Sequence, residues 1–141
     1  MPTSGDLFAV DTSVAVAALD ASHAAHLVCR AAVQTRRPGL AGHAAFETYS
    51  VLTRMPGVAA LDGPTAASVI GRVFPAVHAL APAATQDLLG RLGTLGVVGG
   101  AVYDALVGEA ARTNGCRLLT RDQRARRTYD LLGVDYEVVG P

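Results

Sequence analysis

The sequence predicts an α/β domain, a parallel sheet with helices on both faces. Short apolar runs alternate with segments of helical period, and no Asn-Gly turn joins two strand-like runs. Two of the runs end abruptly at an aspartate that begins a helical segment, as strands do when they hand over to helices in such sheets. The 141 residues fit one domain, 1–141, with no internal repeat, linker or low-complexity tail.

Leu7-Phe8-Ala9-Val10 is a buried strand ending at Asp11, and Thr12-Ser13 offers hydroxyls to cap the first helix. Helices are predicted over Val14–Asp20 and His23–Gln34, the second broken by Pro38-Gly39 before a brief strand at Leu40-Ala41. His43 to Arg54 reads as helix, stopped by Pro56-Gly57. Pro64 opens a helix over Thr65–Val73, Val77–Leu80 is a short strand, and Gln86–Leu92 is helical after Pro82. Tyr103, Leu106, Val107, Ala110 and Ala111 fall on one helical stripe, ended by Asn114-Gly115. Cys116–Thr120 is a strand with Asp122 just beyond it, Gln123–Leu132 a helix stopped by Gly133, and Tyr136–Val139 a closing strand at an edge.

Half the residues are hydrophobic and 17% are charged, so the chain folds around a core. Net charge is zero, with all 12 cations arginine and none lysine. That excludes Schiff-base chemistry and the lysine of phosphate-binding loops, and it leaves nucleic-acid contact to a local arginine patch. Cys29 and Cys116 lack metal-ligand spacing and read as small buried residues. Met1–Asp6 carries no basic and apolar leader pattern, and Leu92–Tyr103, broken by four glycines, is too short to span a bilayer. A cytoplasmic protein without membrane contact is expected.

Four acids stand where one site can form. Asp11 and Asp122 follow strands, at the carboxyl edge where open parallel sheets bind ligands. Asp104 and Glu47 lie in the opening turns of helices, and Glu47 is the only charge between His43 and Arg54. Each alone has a plainer reading: Asp11 and Asp122 as helix caps, Asp104 as a partner of the helix dipole, Glu47 as a solvated side chain. Together they point elsewhere. Two carboxylates about 5 Å apart repel by roughly 3 kcal/mol at an effective dielectric near 20. A hard divalent cation, Mg²⁺ or Mn²⁺, relieves that repulsion and activates water for attack on a phosphodiester.

These segments resemble the PIN-domain nucleases. Val10-Asp11-Thr12-Ser13-Val14, Glu47 to Arg54, Tyr103-Asp104-Ala105 and Leu118 to Arg124 occur in the family's order, and their wording is similar to the VapC toxins of bacterial toxin–antitoxin pairs. The likeness runs from Phe8 to about Val139. It implies a three-layer α/β/α sandwich with a five-stranded parallel sheet, and Mg²⁺- or Mn²⁺-dependent RNA cleavage leaving a 5′-phosphate and a 3′-hydroxyl. It implies metal coordination by Asp11, Glu47, Asp104 and Asp122, with Ser13 and Thr120 hydrogen-bonding the acids. It also implies a homodimer and a cognate VapB antitoxin covering the site. Where many relatives carry a further acid, this chain has Arg124 and Arg126, which leaves one or two ions open.

Arg121, Arg124, Arg126 and Arg127 crowd the region after the fourth strand and are candidates for holding RNA phosphates, against the plainer reading of a solvated helix face. Tyr49 and Tyr103 flank the acids as candidate stacking surfaces or as core. His23, His26 and Cys29 share a helix face but lack a fourth ligand, and read as packing or exposure. A haloacid-dehalogenase-type phosphohydrolase also begins with an aspartate after its first strand, yet needs a second acid where Ser13 stands and a lysine. The other rival is a degenerate PIN module that binds RNA or protein without cutting.

Overall fold

β1 (Phe8–Val10) is the middle strand of the computed structural model, which describes residues 7–56 and 60–140. The leader reading of Met1–Asp6 and the Gly57 part of the Pro56-Gly57 stop lie outside the described residues. β2 (Gly39–Ala41) and β3 (Val77–His78) extend the sheet on one side, β4 (Arg117–Thr120) and β5 (Tyr136–Val138) on the other, in the order β3-β2-β1-β4-β5. Every pairing is parallel. The strand order reverses between β1 and β4, so the crevice of this sheet opens at their carboxyl ends.

The helices are α1 (Thr12–Leu19), α2 (His26–Arg36), α3 (Ala44–Arg54), α4 (Gly63–Val73), α5 (Pro82–Leu95), α6 (Ala101–Thr113) and α7 (Arg126–Leu132). Consecutive strand residues point to opposite faces, and the two cores divide accordingly. Ala9, Ala41 and Leu118 pack under α5, α6 and α7 with Leu88, Val107 and Tyr129. Val10, Leu40 and Leu119 pack under α1 and α2 with Val14, Cys29 and Val33, and Phe74 closes that layer. A three-layer α/β/α sandwich results. Cys29 and Cys116 are free thiols, one in each core.

Element ends differ from the sequence expectation where side chains take over backbone donors. α7 starts at Arg126, not Gln123, because Asp122 Oδ1 accepts the N–H groups of Arg124 (3.0 Å) and Ala125 (3.3 Å) and holds 123–125 as a turn. α2 starts at His26, after a turn in which Asp20 accepts the Ser22 N–H and His23 donates its N–H to the Asp20 carbonyl. Asp62 caps α4 through the Thr65 N–H at 2.8 Å, which brings Gly63 and Pro64 into the helix. α5 runs longer than expected, from Pro82, whose ring pre-sets the first turn, to a left-handed Gly96. The edge strand β3 is shorter, two residues in place of Val77–Leu80.

Gly90 and Gly93 sit inside α5 on exposed backbone, and a Cβ at either meets nothing within 4 Å. Gly90→Ala is therefore expected to stabilise the fold by about 0.5–1 kcal/mol, since the added methyl restricts the unfolded chain and strains nothing. Urea unfolding checks this. A variant that unfolds earlier would show a partner on that face.

Candidate active site

Asp11 is the first residue after β1, and its backbone still belongs to the sheet through an N–H to the Leu119 carbonyl at 3.1 Å. Only 4% exposed, it caps α1. Its carboxylate accepts four hydrogen bonds. Oδ1 takes the Ser13 hydroxyl (2.5 Å) and the Val14 N–H (3.3 Å). Oδ2 takes the Thr120 hydroxyl (2.5 Å) and the Tyr129 hydroxyl (2.9 Å). Burial pushes its pKa up, and these donors pull against that rise.

The same hydroxyls tie the two central strand ends together. Ser13 Oγ accepts the Arg121 N–H at 2.8 Å, and Thr120 Oγ1 accepts the Asp122 N–H at 3.0 Å. From α3, Glu47 accepts a hydrogen bond from the Thr12 hydroxyl at 3.2 Å. Asp104 enters from the first turn of α6. Asp11, Glu47, Asp104 and Asp122 thus line one cavity of about 60 Å³ with Ser13 and Tyr129, room enough for a few waters or a hydrated ion. A larger open hollow of about 390 Å³ adjoins it, walled by Asp104, Asp122, Gly100 and Arg124.

The electrostatics are one-sided. Asp104 is pushed up to about 6, by burial first and then by the charges of Asp122, Glu47 and Asp11, with Arg124 the one opposing group. Among the described residues, the ion pairs all involve other acids, and none of the four has a cation within salt-bridge reach. Nor do any three of the described His, Cys, Asp and Glu side chains close to ligand spacing. The acids share a cavity without forming a closed cage. Uncompensated carboxylate oxygens around a water-sized space are the donor set that a hard divalent cation takes, and such a cation keeps several waters of its own.

Of the four arginines singled out in the sequence, Arg124 alone borders the acids. Arg121 donates to the Val139 carbonyl at 2.6 Å, which anchors β5. Arg126 reaches the Tyr136 hydroxyl (3.4 Å) and the Gln123 side chain (2.9 Å), and with Arg127 it walls a separate open hollow. Tyr103, 53% exposed, stacks on His43 at 5.3 Å, across the acids' helices. Tyr49 turns away into an apolar hollow with Phe46 and Phe74. His26 is spent on the Ala17 carbonyl at 2.9 Å.

Tyr129 is the cavity residue that the sequence pattern does not single out. The available signal is a phenol on the buried Thr128-Tyr129-Leu132 face of α7, since a hydroxyl in a core needs a partner.

A family model described as the PIN domain matches residues 8–131. Ribonuclease VapC27 of Mycobacterium tuberculosis (strain ATCC 25618 / H37Rv) is 44% identical over 126 residues, which cover 89% of this chain and 92% of that protein. Ribonuclease VapC40 of Mycobacterium tuberculosis (strain CDC 1551 / Oshkosh) is 40% identical over 136 residues, covering 94% and 99%.

Proposed function

The chain belongs to the PIN-domain family, among its VapC members, and on that premise we propose that it is a Mg²⁺- or Mn²⁺-dependent endoribonuclease, the toxin of a toxin–antitoxin pair. The observation that carries the reading is the group of four acids lining one cavity at the strand-order reversal, where burial first and then the neighbouring charges push Asp104 up to about 6, and where none of the four has a salt-bridge partner among the described residues. Asp11, Glu47, Asp104 and Asp122 would hold the ion. A bound cation would supply the activated water and the charge that a phosphodiester needs for in-line cleavage.

The chain's own groups have separate tasks. Ser13 and Thr120 hold the Asp11 carboxylate in place and join the ends of β1 and β4. Arg124, on the wall of the hollow beside Asp104 and Asp122, is placed to take an RNA phosphate entering that hollow. Arg121, Arg126 and Arg127 form a weaker electrostatic approach, because the first two are already engaged. The exposed Tyr103 ring, stacked on the half-buried His43, offers a face for an unpaired base.

The two ribonuclease relatives support a VapB-type antitoxin as partner and RNA as substrate. Residues 1–141 are read as a single PIN domain, acting as a cytoplasmic homodimer. No helix among the described residues is long and apolar enough to cross a membrane.

The test uses purified protein, structured RNA and Mn²⁺. Cleavage is expected to stop with EDTA and to fall in Asp11→Asn by at least about 10–100-fold, the loss that even an outer partner of a ligand brings. Cutting that survives both changes would sink the metal-dependent reading. Binding of RNA with no cutting by the wild type, under the same conditions, would leave the non-cleaving module standing.

A further inference from the structure

We infer that Tyr129 is the positioning residue of the acid cavity: its phenol fixes the plane of the Asp11 carboxylate toward the other three acids, and Gly108 is the notch in α6 that lets the ring reach it. The inference rests on the reading of the cavity as a cation site.

Three of the four donors to Asp11 lie close to it, Ser13 and Val14 in the first turn of α1 and Thr120 at the end of β4. Tyr129 comes from α7, 118 residues away in sequence. Each oxygen is held by two donors, which restricts rotation of the group about its Cβ–Cγ bond. Of the two donors on Oδ2, Tyr129 is the one that also lines the cavity. Without it, Oδ2 keeps the Thr120 hydroxyl alone and the carboxylate can swing away from Glu47, Asp104 and Asp122.

Packing alone does not explain a tyrosine here. The residue is 1% exposed, and phenylalanine would fill the same volume without burying a hydroxyl. The helix opposite has made room for it. A Cβ at Gly108 would stand 2.9 Å from Tyr129 Cδ1 and 3.0 Å from Val134 Cγ2. A glycine in mid-helix weakens α6, and here it admits the ring. Gly108 lies one turn beyond Asp104, on the same helical face. One helix therefore delivers an acid to the cavity and, four residues later, the space for the tyrosine that orients another.

The experiment is a Mn²⁺ titration without RNA, followed by the electron paramagnetic resonance of free Mn²⁺, on wild type, Tyr129→Phe, Gly108→Ala and the double variant. Thermal unfolding of each without metal is measured alongside. Tyr129→Phe is expected to bind Mn²⁺ about 10-fold more weakly, the lower end of what an outer partner of a ligand contributes. Gly108→Ala should weaken binding in the same direction, and should add nothing once the hydroxyl is gone. Wild-type affinity in Tyr129→Phe, with only the melting temperature lowered, would make the residue a packing element and overturn the inference. If that variant does not fold, Gly108→Ala decides alone: unchanged affinity overturns the inference and weaker binding supports it. A wild type that takes up no Mn²⁺ removes the cation reading and this inference together, whereas unaltered binding in the variants removes only the latter.

Discussion

Asp104→Asn is expected to slow cleavage by orders of magnitude and, without metal at pH 7–8, to make the protein more stable. Asp104 is pushed up to about 6 by burial first and then by Asp122, Glu47 and Asp11, whereas an unfolded chain titrates it near 3.9. The native state therefore holds the proton more tightly than the unfolded state does. Stability falls as pH rises through that window, and the full penalty applies above about pH 6. Unscreened, the shift corresponds to roughly 3 kcal/mol; the half-buried group sees solvent, which reduces the gain from Asp104→Asn to about 1–2 kcal/mol. Activity should drop by the 10²–10³-fold typical of losing an electrostatic group at a reacting centre. Mn²⁺ is expected to reverse the order of stability, because the wild type gains about 2.7 kcal/mol at 100 times its dissociation constant and the variant gains less. Urea unfolding at pH 5 and pH 7.5, with and without Mn²⁺, reads all of this. A metal-free Asp104→Asn that is less stable than wild type at pH 7.5 would show that Asp104 serves the fold and not a cation.

Much of this site was legible in the chain because strand-end chemistry is local. An apolar run that stops at a charge places that charge at the sheet's edge, so Asp11 and Asp122 could be located without knowing the pairing. The first-turn positions of Glu47 and Asp104 follow from helix periodicity and are found there. What periodicity does not carry is side-chain reach across the fold. Tyr129 meets Asp11 over 118 residues, and nothing in the spacing of either announces it. Arg126 and Arg127 come soon after Asp122 in sequence, yet beyond the turn that Asp122 itself builds over 123–125 they wall a separate hollow. Nearness along the chain overstated how many arginines share the acids' surroundings.

The contrast between acids that are compensated and acids that are not leads to the other large effect, at Glu109. This carboxylate is as buried as Asp11, at 0% exposure, but it belongs to the opposite case. Arg112 donates to both its oxygens (2.7 and 2.9 Å) and Arg91 to Oε2 (2.8 Å), while Arg91 also holds Asp87 at 2.9 Å. The Arg112 guanidinium, with Arg91, keeps the Glu109 pKa below the usual carboxylate range. Glu109→Gln removes the charge and leaves two arginines around a neutral amide, which is expected to destabilise by about 3 kcal/mol, the low end for breaking a buried pair because both cations keep some solvent contact. The pH sign is opposite to that of Asp104. The stabilisation from Glu109 is present above the unfolded value near 4.3 and is lost as pH falls through the lowered native one, so the variant should lack that part of the acid limb. Mn²⁺ affinity should stay at the wild-type value, since Glu109 is absent from the cavity that the four acids line. A stability near wild type at pH 7 would mean that the two arginines contribute little there. Weakened Mn²⁺ binding in a folded Glu109→Gln protein would mean that the division between structural and cation-holding acids had been drawn in the wrong place.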